Sequence, residues 1–201
     1  MPRPALFYSR RPIILASASP RRQQFLRELG LDFTIRAAAI DESPLPAETP
    51  EAFTRRMAGA KAEAVASDHG QACIIGADTV VSLDGLILGK PKDEQDALAM
   101  LKQLQGRTHR VITGLSLICR ESELHQTTAT VTSVTFAAFP AAVLAAYVRT
   151  GEPMDKAGAY GIQGMGGFLV RKIEGSCSNV IGLPVNVLVS LLLGHKVIGP
   201  V

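Results

Sequence analysis

Asp78 stands out first, because an acid is out of place in the run Ile74-Ile75-Gly76-Ala77-Asp78-Thr79-Val80-Val81. Strands deplete Asp, and a carboxylate carried into an apolar layer needs a cation, a donor or a metal beside it. Gly76 and Ala77 leave the surface next to it low, so that a ligand can come close. The competing reading is a structural Asp bonded within a bend; the surrounding β-branched residues favour function. A second candidate is Leu15-Ala16-Ser17-Ala18-Ser19-Pro20-Arg21-Arg22, small residues delivered by a strand to the start of a helix. Unpaired backbone N–H groups and the helix dipole favour an anion there. Ser17 and Ser19 add hydroxyls, and Arg21 and Arg22 are suited to phosphate or a base carbonyl. An N-cap followed by solvated arginines explains the same residues.

Isolated charges form a third group. Glu42 follows Asp41 in a loop, Lys61 sits in the small-residue run Ala58-Gly59-Ala60-Lys61-Ala62, and Lys90 lies in Gly89-Lys90-Pro91. Each lysine alone suits a solvated surface. Together they suit a phosphate clamp, with the acids available to Mg²⁺, which takes one or two carboxylates alongside phosphates and water. A fourth segment, 155–167, is rich in glycine and carries Gln163, whose amide pairs a donor with an acceptor as a base edge requires. Its glycine spacing fits neither a P-loop nor a dinucleotide fingerprint, and a tight structural loop is the alternative. The segment Ser176-Cys177-Ser178-Asn179-Val180-Ile181-Gly182-Leu183-Pro184 is expected to be a polar turn feeding an apolar strand and then a helix. Cys177 has no His or Lys beside it and is taken as an inert thiol. The four scattered histidines are taken as structural or surface residues.

The elements that must position these groups follow from local pattern. Residues 13–16 form a buried strand, and Ser19-Pro20 starts a helix that stops at Gly30. A strand is expected over 31–37, and Thr49-Pro50 opens a helix to about residue 68. A β-rich run over 73–83 turns at Asp84-Gly85 into a return strand over 86–88. Asp93 caps a third helix, and two long strands follow over 108–119 and 124–137. Pro140 begins a helix, the glycine-rich segment leads into a strand over 168–173, and Pro184 begins the last helix. Helices alternate with strands but antiparallel hairpins intervene, so the expected class is α/β with a mixed sheet and flanking helices rather than a purely parallel one.

Composition narrows the function classes. The 201 residues include no Trp, seven Phe and three Tyr, too few for a surface of stacked aromatics, and a net charge of +3 does not point to nucleic acid. Three scattered cysteines without metal spacing suit a reducing, cytoplasmic setting. The longest apolar stretches, 136–148 (broken by Pro140) and 185–193, fall short of a membrane span. Arg10-Arg11, Ile13-Ile14-Leu15 and Ala16-Ser17-Ala18 mimic a secretion signal, but the apolar core is shorter than the roughly 7–15 residues one needs.

Four motifs in order, 15–22, Gly76-Ala77-Asp78-Thr79, Gly89-Lys90-Pro91 and Gly182-Leu183-Pro184, resemble the Maf family over residues 12 to 193. The resemblance implies a cytoplasmic pyrophosphatase that converts nucleoside triphosphates to monophosphates. It also implies a fold similar to the inosine-triphosphate pyrophosphatases, an elongated mixed sheet in two lobes around a cleft, with a divalent metal (Mg²⁺ or Mn²⁺) as cofactor and a homodimer as assembly. On this basis residues 12–201 form a single domain behind an N-terminal extension, 1–11. The stretch 155–164 is similar to the branch acting on dTTP and UTP. By resemblance Asp78 matches the proton acceptor, and Arg21, Thr79 and Gln163 match positions tied to substrate choice. Ser17, Lys61, Lys90 and Glu42 match phosphate- or metal-contacting positions, with Glu42 and Asp78 as the metal ligands. The chain departs from the family pattern at Ala58-Gly59-Ala60, where a charged pair is common, and at Cys177, where Tyr is common. Two other functions compete with it: a non-catalytic regulator of septum formation, and a pyrophosphatase for modified purines such as 7-methyl-GTP.

Overall fold

The structure is a computed structural model and describes residues 5–201. Strands are β1 (Phe7–Ser9), β2 (Ile13–Leu15), β3 (Thr34–Ile35), β4 (Cys73–Leu83), β5 (Leu86–Leu88), β6 (Thr108–Cys119), β7 (Leu124–Phe136), β8 (Val170–Glu174) and β9 (Ile198–Pro200). Helices are α1 (Pro20–Glu28), α2 (Pro50–Ala66), α3 (Glu94–Leu104), α4 (Ala141–Val148), α5 (Cys177–Ile181) and α6 (Val185–Gly194). The fold is mixed α/β. Among the described residues, one seven-stranded sheet has the order β3-β2-β4-β6-β7-β8 with β5 paired to β4, and β1 and β9 form a separate antiparallel pair. β2 runs parallel to both β3 and β4, while β5 and β8 return antiparallel, so the sheet mixes both senses. No helix among the described residues is long and apolar enough to cross a membrane.

The chain divides into two compact units, passing between them after Asp78, Ile112, Thr130 and Ile181. In the first unit the strand interior is buried on both faces, as the aliphatic runs of β2 and early β4 require. Leu15, Ile75 and Leu117 pack with Leu26 of α1 and Leu188 and Leu192 of α6. Their neighbours in sequence, Ile14, Ile74 and Ile118, pack with Ala62, Val65 and Ala66 of α2. The alternation assigns Gly76 and Asp78 to the α2 face, two and four residues beyond Ile74. Gly76 admits α2 rather than a ligand: a Cβ there would overlap the Ala58 carbonyl oxygen and lie 2.9 Å from the Ala62 Cβ. Gly114 of β6 makes the same allowance for the Thr54 carbonyl. Thr49 caps α2 through the Ala52 N–H at 3.2 Å, and Pro50 takes the first helical position.

In the second unit Asp84 and Gly85 take φ of +52° and +85°, the pair of left-handed residues that a two-residue hairpin uses. The core there gathers Val81, Leu101, Val134, Phe136 and Leu144. His109 lies within it, edge-on to Phe136 and Tyr160, with Nε2 2.8 Å from the Tyr160 hydroxyl. Burial lowers its pKa from the ordinary 6.5 to about 4. The folded ring therefore stays neutral where the unfolded ring binds a proton, and His109 costs stability as pH falls from 6.5 towards about 4. A proton NMR titration of the ring is expected to show a midpoint near 4; a midpoint near 6.5 would contradict its burial.

Several local expectations need correction. The strand expected over 31–37 shrinks to Thr34–Ile35, since Leu31 still closes the end of α1, its N–H donating to the Leu26 carbonyl at 3.1 Å. The strand expected from 168 starts at Val170, because Met165–Leu169 winds as a 3₁₀ turn that uses the glycines. The segment expected to feed an apolar strand at 180–181 is the short helix α5, begun where the Ser176 hydroxyl accepts from the Asn179 N–H at 3.3 Å. Of the residues expected to form an extension, 1–4 lie outside the described residues and Phe7–Ser9 pair with β9.

Candidate active site

Register builds the site. Leu15 of β2 lies beside Ile75 of β4, and the Ala16 N–H donates to the Ile75 carbonyl at 2.8 Å. Two residues further on, the chain leaves β2 and turns towards α1, so the turn that carries Ser17 comes alongside Ala77 and Asp78. Ser19 sits at the N-cap of α1 but its side chain makes no cap bond; Pro20 starts the helix instead. The Ser17 hydroxyl accepts from the Ser19 N–H at 3.3 Å.

Arg22 braces the turn. Its guanidinium is buried and donates to the Ser17 hydroxyl at 2.9 Å, to the Ala77 carbonyl at 2.8 Å and to the Gly182 carbonyl at 2.8 Å. One planar group with fixed donors thus ties the turn to the strand residue before Asp78 and to the approach to α6. Desolvation lowers its pKa, offset in part by Asp78 and Glu42. Arg21 is half-buried on the first turn of α1. The sequence alone does not separate the two arginines; the buried face of α1 does. Arg22 and Leu26 are four apart on one helix face, and both are buried.

Asp78, Lys61 and Glu42 meet. The Lys61 ammonium donates to Asp78 Oδ1 at 2.6 Å and lies 2.8 Å from Glu42 Oε1. Lys61 and Asp78 side chains are 12% and 13% exposed, against 58% for Glu42, so the lysine joins a sheltered carboxylate to an open one. Small residues make this reachable. The close packing of Ala58 and Ala62 over Gly76 sets Lys61 above the next residue on the same strand face, Asp78.

Glu42 comes from the long loop between β3 and α2, and a pair absent from the sequence reading pins that loop. Arg56 of α2 grips Glu48 through Nε at 2.7 Å and Nη2 at 2.6 Å, and also donates to the Ser43 carbonyl at 3.0 Å. The residue after Glu42 is thereby fixed to the helix that carries Lys61. The same grip holds the Glu48 carboxyl at about 2, so the anchor is present above the ordinary carboxylate range and is lost only as pH falls towards about 2. Nothing local marks this pair, since the partners are eight residues apart across a helix start.

Three other candidates belong to the second unit. Thr79 follows Asp78 on β4 and is half-buried, Lys90 is exposed after β5, and Gln163 is exposed in the glycine-rich loop. The Gly89 carbonyl, next to Lys90, accepts from the Gly158 N–H at 3.0 Å, which joins the Lys90 turn to that glycine-rich segment. Cys177 is exposed on α5.

The arrangement in the first unit offers a sheltered carboxylate held as an acceptor, a cation beside it, an open carboxylate on the same cation and a hydroxyl turn at a helix start. That set suits proton abstraction next to a bound polyanion. A protein of Desulfotalea psychrophila named dTTP/UTP pyrophosphatase is 52% identical over 94% of this chain and 96% of its own length. A second, from Nitratidesulfovibrio vulgaris and named likewise, is 52% identical over 93% of this chain and 89% of its own. The solved structure of a HAM1 protein from Coxiella burnetii overlays 64% of this chain and 74% of that one at 18% identity, with a TM-score of 0.47. The Maf-like protein model matches residues 12–195, nearly the whole chain, and the protein belongs to that family.

Proposed function

We propose that this protein is a nucleoside triphosphate pyrophosphatase that hydrolyses dTTP and UTP to the monophosphate and pyrophosphate. The observation that carries the reading is the single ammonium of Lys61 shared by Asp78 and Glu42. Relatives that match the chain over nearly its full length carry the substrate names. Asp78 accepts the proton of a water that attacks the α-phosphorus, and the α–β bridging oxygen leaves with pyrophosphate. Lys61 donates to Asp78 and lies where charge builds on the phosphates. The turn from Ser17 to Arg22 presents Ser17 and Arg21 to the phosphate chain, and Lys90 adds a second cation. Thr79 and Gln163 read the pyrimidine edge. In these terms the catalytic gain is positioning and charge stabilisation.

Mg²⁺ or Mn²⁺ belongs to the same proposal. Two carboxylates within 2.6–2.8 Å of one positive centre match the one or two a small hard cation takes from protein. Glu42 and Asp78 would hold it, and when bound it neutralises phosphate oxygens. The cytoplasm, where scattered cysteines stay reduced, is the proposed compartment.

The test is a panel of dTTP, UTP, CTP, 7-methyl-GTP and ITP with Mg²⁺ or Mn²⁺, read by released pyrophosphate. Turnover is expected for dTTP and UTP above the rest. Preference for 7-methyl-GTP would move the protein to another substrate, and nucleotide binding without turnover would make it a regulator.

A further inference from the structure

Gln163 is exposed in a loop where glycine supplies four of the seven residues 161–167. A side chain that selects a base must start from a fixed backbone, and glycine loses more freedom on ordering than any other residue. Something else must therefore hold this loop. Glu152 begins the 3₁₀ turn after α4, and its carboxylate faces the loop. Oε2 accepts from the Met165 N–H at 2.9 Å, and Oε1 accepts from the Gly166 N–H at 2.9 Å and the Tyr147 hydroxyl at 3.0 Å. The Tyr147 oxygen in turn accepts from the Gly161 N–H at 3.3 Å. The loop is thus held two residues before Gln163 and again two and three residues after it. Gly164, the neighbour of Gln163, has φ of +86°, and a Cβ there would lie 2.8 Å from Glu152 Oε2. The carboxylate fills the space that a side chain at 164 would need. Lys156 secures the other side, donating to the Glu152 carbonyl at 2.6 Å while its carbon chain covers Gly161. Burial opposes the charge on Glu152, but the Met165 and Gly166 N–H groups, Tyr147 and Lys156 outweigh it and keep the carboxyl below its ordinary range.

We propose that Glu152 is a positioning residue for substrate choice: its carboxylate, with Tyr147, templates the glycine-rich loop so that Gln163 meets the pyrimidine edge in one orientation. This rests on the proposed role of Gln163. Glu152→Gln keeps the shape but turns an N–H₂ towards one of the loop N–H donors, so one of the three bonds is lost. In that variant the KM for UTP is expected to rise about tenfold, the scale of one hydrogen bond to a charged group, with kcat changed by less than about threefold. The preference for UTP over CTP should fall with it.

The test measures kcat and KM on UTP and CTP for the parent, Glu152→Gln, Gln163→Ala and the double variant, and amide exchange at Met165 and Gly166 without substrate. The expected result is faster exchange in Glu152→Gln, and no further loss of preference when Glu152→Gln is added to Gln163→Ala. If Gln163→Ala leaves the preference intact, the base-reading role fails and this inference with it. If Gln163→Ala abolishes the preference while Glu152→Gln leaves KM and exchange unchanged, or if the two losses add, only the role of Glu152 is overturned. Should Glu152→Gln not fold, Tyr147→Phe, which removes the bond to Oε1 and the one from Gly161, decides by the same readouts.

Discussion

Asp78→Asn should lower the hydrolysis of UTP and dTTP by about 10²–10⁴, the range for loss of a general base. The amide has the size of the carboxylate and keeps one acceptor, so Lys61 retains a neighbour at that position. What it loses is the negative charge and the basic lone pair. Lys61, with a side chain only 12% exposed, would then depend on Glu42, which is 58% exposed and screened by solvent. A stability loss of about 1–3 kcal/mol is expected from the weakened pair. Rates must therefore be scaled to the folded fraction, measured by circular dichroism at the assay temperature. A folded variant with near-normal turnover would remove Asp78 from the chemistry and leave its ion pair with Lys61 a structural one.

Gly76→Ala is expected to damage stability and rate together. The added methyl would overlap the Ala58 carbonyl oxygen and crowd Ala62, both in α2, so no flexible side chain can yield. The helix must move as a body. Overpacking of this kind costs about 1–3 kcal/mol. The same movement lifts Lys61 from Asp78, and a shift of about 1 Å near reacting groups costs on the order of 10² in rate. Thermal unfolding and UTP turnover, measured on one preparation, separate the two effects. A variant that matches the parent in both would mean that α2 does not set the Lys61–Asp78 distance. Gly114→Ala is a useful comparison. It meets the same helix at Thr54, about two turns from Lys61, and should cost stability with a smaller rate loss.

Much of this was legible in the chain because the relevant signals are local. An Asp among β-branched residues marks itself, and small residues around Lys61 announce that its helix is packed closely. The Asp84-Gly85 turn and the Thr49 and Asp93 caps each occupy a few residues, and all three are formed. What the chain hides is pairing at a distance. β1 and β9 are three residues each and meet from opposite ends of the sequence, so neither carries a period to read. Gly76 signals close approach but not by what, and α2 rather than a ligand fills the space. The arginine pair Arg21-Arg22 is symmetrical on paper; only the burial of one face of α1 divides the buried brace from its half-buried neighbour. Glu42 stood only as one of several isolated acids, since an acid in a proline-rich loop is ordinary until Arg56 and Glu48 fix that loop. Glu152 gave no signal, for the loop groups it holds are backbone N–H groups more than ten residues on.

The two-sided burial of β4 also governs which changes of length the chain can survive. Ile74, Gly76 and Asp78 face α2 because they fall on one parity of the strand, and Cys73, Ile75 and Ala77 fall on the other. Losing or gaining one codon between 73 and 78 would exchange the parities. The carboxylate would then enter the layer of Leu26 and Leu188, and a methyl would face Lys61. Substitutions here are graded in their cost, but a single-residue insertion or deletion is not: it removes the acid from the site and buries it among leucines in one step. Indels in this lineage should therefore collect in exposed stretches such as 120–123 and spare the residues leading to Asp78.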